Sequence, residues 1–243
     1  MPRFFKSMSL PATVGDTITI DGQDAIHLQK SLRLRVGDAV LICDGRSTEY
    51  DTVIAAFADG CAQLTVEAVR ASVAEPRLKL TLYQGLPKSD KLEYIIQKAV
   101  ELGITTVVPV ATSRSVVKLD AAGGKKKQER WQKIANEAAG QSGRGILPEV
   151  CHTISFDTAV KQSANDDKCV FCYELATEGL DTIGSETKTV SVIIGPEGGF
   201  TAREAEALAQ SGAVTVSLGK RILRAETAPV AALCTVMLKS GNI

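Results

Sequence analysis

Histidine is almost missing from this chain. Only His27 and His152 occur in 243 residues; the first lies among short strands and the second just past a proline. Neither context marks a base or a ligand. Long apolar runs are missing too, since nothing approaches the ~20 residues that a membrane span needs. The start, Met1-Pro2-Arg3-Phe4-Phe5-Lys6, lacks the apolar stretch of a signal peptide, so a soluble cytoplasmic protein without a membrane partner is expected. Net charge is absent as well, with 28 basic against 28 acidic side chains. Six cysteines are scattered along the chain. One CxxC pattern, Cys169-Val170-Phe171-Cys172, falls in an apolar run that reads as a strand, where positions three apart face opposite sides. No second pair completes a zinc site, so buried reduced thiols and no metal are expected.

The zero total conceals an uneven distribution. Residues 1–72 hold 7 basic and 9 acidic side chains, residues 77–150 hold 13 against 7, and residues 151–243 hold 8 against 11. A polyanion would be met by the middle third.

Residues 1 to about 70 read as short strands with turns at Asp44-Gly45 and Asp59-Gly60, and only Asp24 to Leu32 looks helical. A small β-barrel follows, suited to docking on a partner. Arg33 and Arg35 flank Leu34 before a turn; they read equally as phosphate contacts and as a solvated strand end. Ala71 to Arg77, with Pro76, breaks the pattern. The expected domains are 1–72 and 73–243.

Beyond the break, strands alternate with helices, which predicts a parallel α/β domain. Leu78–Leu82, Thr105–Val110, Lys168–Tyr173, Val190–Ile194 and Ala213–Ser217 read as strands. Leu92, Ile95, Ile96, Ala99 and Leu102 share one helix face behind Asp90 and Glu93, and Gly103 can end that helix. Ser155–Ser163 and Thr227–Leu238 are further helices, the latter with Pro229 in its first turn. Ser113 to Gly124 has no period. Lys125-Lys126-Lys127 follows, read first as a solvated mobile segment and second as a phosphate contact. Trp131, Ile134, Ala135 and Ala138 then make a helix face. Three loops, after Tyr173, Ile194 and Ser217, leave the C-terminal ends of strands, where open parallel sheets bind ligands. The first of them is the polar stretch Glu174 to Gly179.

The most informative of these loops is Gly195-Pro196-Glu197-Gly198-Gly199. Its glycines leave backbone amides open to a flat or extended ligand, and Thr201 with Glu204 forms a capping box that fixes where the next helix begins. It fits neither the Walker nor the dinucleotide template. Glu197 repels phosphate and suits hydroxyls, an amine or a cation. A turn serving only connectivity is the competing reading.

Gly195-Pro196-Glu197-Gly198-Gly199 taken with Leu218-Gly219-Lys220-Arg221-Ile222-Leu223-Arg224-Ala225-Glu226-Thr227-Ala228 closely resembles the SPOUT methyltransferases, and among them the E-type small-subunit ribosomal RNA uridine methyltransferases. Lys88 to Gly103, Ala138 to Arg144 and Met1 to Phe5 extend the resemblance over nearly the whole chain. Lys220 stands where members often have proline. The resemblance implies a PUA-like N-terminal β-barrel, a C-terminal α/β domain closed by a deep trefoil knot, a homodimer, and S-adenosylmethionine-dependent methylation of uridine N3 in ribosomal RNA of the small subunit. It places the methyl donor against Leu175, Ile194, Gly195, Glu197, Gly198 and Gly199 from the first loops, and against Leu218, Gly219, Ile222, Leu223, Thr227 and Ala228 from the last. It makes Arg224 the catalytic group facing the uracil, with pairing to Glu226 or Glu197 as the scaffold alternative. RNA contact is expected from Arg3, Arg33, Lys88, Lys125, Lys126, Lys127 and Arg144. A methyltransferase of different RNA target and a non-enzymatic assembly factor are the rival functions.

Overall fold

Short alternating strands joined by tight turns build the first of two units in the computed structural model, which describes residues 1–8, 10–115, 121–177, 179, 180 and 183–243, with the backbone only of residues 121 and 122. Val116 to Asp120, part of the aperiodic stretch from Ser113, and Glu178 of the polar loop lie outside the described residues. The first unit comprises Met1–Glu75 and Ala139–Leu147; the second comprises Pro76–Ala138 and Pro148–Ile243. The boundary thus falls after Glu75 rather than Ser72, and a later segment returns to the first unit.

In the first unit β1 (Arg3–Phe5), β2 (Thr17–Ile20), β3 (Ala39–Cys43), β4 (Thr48–Ala58) and β5 (Cys61–Ala71) make one sheet in the order β1-β3-β4-β5-β2. Only the β1–β3 pairing is parallel. Asp59 and Gly60 take φ of 51° and 75°, the two left-handed positions of a type I′ hairpin whose twist matches the flanking strands. Ile18, Ile20, Ile42, Ile54, Leu64 and Val66 alternate inward onto Tyr50 and Leu28. The helical stretch is α1 (Gly22–Ile26) continued by one π-helical turn, His27–Ser31.

Segment 139–147 is bound to this unit by charge. Glu75 Oε2 accepts Arg144 Nη2 at 2.8 Å, and its Oε1 accepts the backbone N–H of Gly145 at 2.7 Å and of Ile146 at 3.0 Å. Arg3 Nη1 donates to Arg144 O and to Glu49 Oε1, both at 2.9 Å. Arg144 is only 4% exposed. Its expected phosphate contact is therefore corrected: the guanidinium is spent on Glu75 inside the protein. Removing one partner of a buried pair strands the other charge, so Arg144→Ala should lose about 3–5 kcal/mol in denaturant unfolding. A loss under about 1 kcal/mol, the size of a surface pair, would return Arg144 to the list of RNA ligands.

The second unit contains β6 (Lys79–Gly85), α2 (Lys91–Glu101), β7 (Thr106–Ala111), all but the last three residues of α3 (Ala121–Gln141), β8 (Glu149–Val150), β9 (Ile154–Ser155), α4 (Phe156–Ser163), β10 (Lys168–Cys172), β11 (Thr189–Ile194), α5 (Ala202–Gln210), β12 (Val214–Val216) and α6 (Thr227–Lys239). The sheet order is β12-β10-β11-β6-β7-β8, with β9 also on β7, and every pairing is parallel. Strands of this kind read as continuous apolar runs because both faces are covered. On one face Phe171, Ile193, Tyr83, Val108 and Val110 pack under Ala159 of α4 and Leu208 of α5. On the other, α6 packs against α2 and β11, burying Leu92, Ile95, Ala99, Leu233 and Val236.

Lys125-Lys126-Lys127 does not form a loose segment. All three are exposed positions on α3. The paired glycines Gly123-Gly124 hid the helical period, while Trp131 and Ala135 supply the buried face. Gln132 fixes the helix by donating to Pro148 O and accepting the Val150 N–H, both at 2.8 Å. At α2, Asp90 occupies the cap position but makes no side-chain capping bond.

Candidate active site

Three loops at the C-terminal ends of β10, β11 and β12 converge, and they do so because those strands are neighbours in the order β12-β10-β11. Between them lies a cavity of about 410 Å³, within the range of about 300–1,000 Å³ usual for small-molecule sites.

The wall from β11 is the glycine-rich loop. Phe200, at its end, is anchored edge-on against Phe171 with ring centres 5.2 Å apart. Thr201 and Glu204 form the full capping box. Glu204 Oε1 also accepts the Ser113 N–H at 2.8 Å, so the turn is tied to the end of β7. Burial pushes the Glu204 carboxyl up, but the N–H groups of Ser113 and Thr201 outweigh it and hold it below the usual range. Beneath the loop the buried Gln84 donates to Gly85 O at 3.0 Å and Gly195 O at 3.2 Å. Gly199 sits at φ 65°, and a Cβ there would stand 2.9 Å from Glu174 Oε1. Glycine suits that left-handed backbone, and any larger residue would also have to displace the Glu174 carboxylate. The loop is a shaped floor.

The opposite wall comes from the segment after β12. Leu218, Gly219, Ile222, Leu223, Arg224 and Ala228 line the cavity together with Ile194, Gly195, Glu197, Gly198 and Gly199. The two motif pieces thus meet across one space. Leu175 and Thr227 do not line it; Leu175 points outward at 74% exposure, and its place is taken by Tyr173 and Glu174.

Arg224 is exposed. Its carbonyl accepts the N–H of Thr227 and of Ala228, both at 2.9 Å, which turns the chain into α6. Among the described residues no carboxylate lies within 4 Å of its guanidinium. Glu197 and Glu226 pair instead with Lys91, at 3.0 and 3.1 Å. Burial raises the Glu197 carboxyl, but its own N–H, Lys91 and the Lys88 N–H prevail and lower it. The Glu226 carboxyl is lowered by its own N–H and then by Lys91. Both stay ionised at neutral pH and are weak bases.

Lys91, Glu174 and Arg221 line the cavity although sequence reasoning did not name them. Lys91 left one signal, a cation in the first turn of a helix, where the macrodipole disfavours it. Burial pushes the Cys172 thiol up to about 12, so this cavity-lining cysteine stays protonated and is no nucleophile. No cluster of three or more metal-ligating side chains exists among the described residues. None of the described helices is long and apolar enough to cross a membrane.

Of the expected RNA contacts, Arg33, Lys88 and Lys125 to Lys127 are exposed, whereas Arg3 is turned onto Glu49 and Arg144 as described above. Lys88 contributes its backbone N–H to Glu197 and leaves its side chain outside.

The chain has known relatives. A family model described as "RNA methyltransferase domain" matches residues 74–237, and one described as "RNA methyltransferase PUA domain" matches residues 20–59. Ribosomal RNA small subunit methyltransferase E of Bacillus subtilis is 39% identical over 90% of this chain and 89% of its own. A crystal structure of a ribosomal RNA small subunit methyltransferase E from Neisseria gonorrhoeae, bound to S-adenosyl methionine, is 30% identical with a TM-score of 0.88 over 98% of this chain and 97% of that one. A putative methyltransferase from Legionella pneumophila, in complex with the bound cofactor SAM, is 26% identical with a TM-score of 0.87 over 97% and 96% of the two chains. The chain belongs to the ribosomal RNA small subunit methyltransferase E family.

Proposed function

We propose that this protein methylates N3 of a uridine in small-subunit ribosomal RNA, using S-adenosylmethionine held in the cavity between the Gly195–Gly199 loop and the Leu218–Ala228 segment. The observation that carries this reading is the convergence of those two segments on one cavity, with an Arg224 guanidinium that makes no ion pair within 4 Å among the described residues. The cavity fits the donor. It offers the Glu174 carboxylate toward a ligand with positive charge, Glu197 being paired with Lys91, and a floor of three glycines that leaves backbone open to the ligand.

When bound, the donor supplies an electrophilic methyl group on a sulfonium. Uracil N3 carries a proton and is a poor nucleophile until that proton leaves. Arg224 cannot serve as a base, but its planar fork offers two donors to a carbonyl that gains charge. A fixed donor aimed at the developing charge stabilises it without reorganising at the moment of reaction. The loop amides and Leu218, Gly219, Ile222 and Leu223 hold the donor while Arg224 orients the base behind it, which is the positional part of catalysis. His27 and His152 are not among the residues that line the cavity.

Lys88 and Lys125 to Lys127 are the exposed cations of the second unit proposed to meet phosphate, and Arg33 that of the first. Ribosomal subunits as substrate put the enzyme in the cytoplasm. The knot expected of the family is supported by the chain's return from β12 at the sheet edge to α6 over β11.

A homodimer is proposed from α6. Its sequence is apolar nearly all round, and while Ala232, Leu233, Val236 and Met237 pack inward, Cys234 and Leu238 face out. A helix of that kind is normally covered, here by a second copy. Leu238→Glu should run as a monomer in light scattering; an unchanged dimer would place the interface elsewhere.

The test of the function is methyl transfer from labelled donor to small ribosomal subunits of a strain lacking the enzyme, with the product nucleoside identified by mass spectrometry. N3-methyluridine is the expected product. A ribose-methylated or guanine product would reassign the target, and no donor binding would leave an assembly factor.

A further inference from the structure

Two carboxylates on separate loops end at one ammonium. Lys91 opens α2, and its Nζ lies 3.0 Å from Glu197 Oε1 and 3.1 Å from Glu226 Oε2. Glu197 belongs to the glycine-rich loop. Glu226 stands two residues beyond Arg224 and occupies the cap of α6. The segment leading into α2 adds a second tie, because the Lys88 N–H donates to both oxygens of Glu197, at 3.1 and 3.2 Å. Arg224 is the other cation acting on Glu226. The helix dipole opposes a lysine at this position, so the pair of carboxylates, and not the helix, accounts for where the ammonium sits.

We infer that Lys91 is a positioning residue for methyl transfer: by holding Glu197 and Glu226 together it sets the distance between the loop that cradles the methyl donor and the segment that presents Arg224 to the base. The inference rests on the reading under Proposed function. Without the ammonium, two like charges would face each other across the cavity rim and push the walls apart. A misplacement of about 1 Å between reacting groups can cost on the order of 100-fold in rate. The geometry has an internal remedy. Protonating one of the two carboxylates, or making it neutral by substitution, removes the repulsion and lets a hydrogen bond replace the bridge.

The experiment compares full-length wild type, Lys91→Met, Lys91→Arg and the double variant Lys91→Met with Glu226→Gln, using small ribosomal subunits and labelled donor. Lys91→Met should lose about tenfold or more in kcat with the KM for subunits unchanged. Lys91→Arg and the double variant should recover most of the rate. A raised KM with no recovery in the double variant would make Lys91 an RNA contact and overturn the inference. Hydrogen exchange of the free enzyme separates this from the functional reading. In Lys91→Met, amides of Gly195, residues 197–199 and residues 219–226 should exchange faster together and slow again in the double variant. Unchanged exchange sinks the latch even if the wild type transfers methyl groups; a wild type that transfers none sinks the functional reading even if exchange behaves as described.

Discussion

Arg224→Ala will bind the methyl donor with near wild-type affinity and transfer methyl groups about 100-fold more slowly or worse. The magnitude is that of a removed donor to a developing negative charge, about 2.7–4 kcal/mol. It follows from what Arg224 does not touch: Glu197 and Glu226 are both taken by Lys91, so truncating Arg224 leaves no buried carboxylate unpaired and should not disturb the walls. Its carbonyl, which starts α6, survives the substitution. Arg224→Lys keeps the charge but gives up the planar fork, and should fall between the two. Calorimetry with the donor and a tritium-transfer assay on small subunits read the two quantities separately. Near-normal turnover in Arg224→Ala ends the role proposed for it, and lost donor binding moves Arg224 from the base to the cofactor.

The parts of this site that were legible in the sequence are those written in local pattern. The apolar run Val190–Ile194, the glycines after it and the Thr201/Glu204 box announce strand, turn and helix within fifteen positions, and the structure has each of them. The convergence of the loops after β10, β11 and β12 was readable because parallel strands put their C-terminal ends on one edge. What escaped depends on partners far apart in sequence. Nothing near Arg144 says that Glu75 will bury it, and nothing near Lys91 says that Glu197 and Glu226 will meet there. β1, β8 and β9 have two or three residues each, too few to show a period. α3 was obscured by Gly123 and Gly124, which lower helix propensity near its start, and by the three lysines after them, which carry no apolar period.

Gly85→Ala should produce the opposite signature to Arg224→Ala, with donor affinity lost and chemistry kept. Gly85 ends β6 directly beneath the cofactor loop. A Cβ there would lie 2.5 Å from Pro196 Cδ, 2.7 Å from Pro196 N and 3.1 Å from Gly195 C. These are backbone and ring atoms, which have no rotamer to move to, so the loop itself must lift. Gln84 pulls the other way, holding Gly195 O through its buried amide. Overpacking of this kind costs roughly 1–3 kcal/mol. If the donor meets that cost on forcing the loop back, its Kd rises about ten- to a hundredfold, at about 1.4 kcal/mol per tenfold. Saturating donor should then restore most of the rate, because Arg224 sits on the far wall and is untouched. Gly198 makes a fitting control: a Cβ there lies 3.2 Å from Arg114 Cβ, a tight contact that a shift of a few tenths of an ångström relieves, so Gly198→Ala should weaken the donor less. Equal losses at the two glycines would mean that the loop yields freely, and that its shape is not what selects the methyl donor.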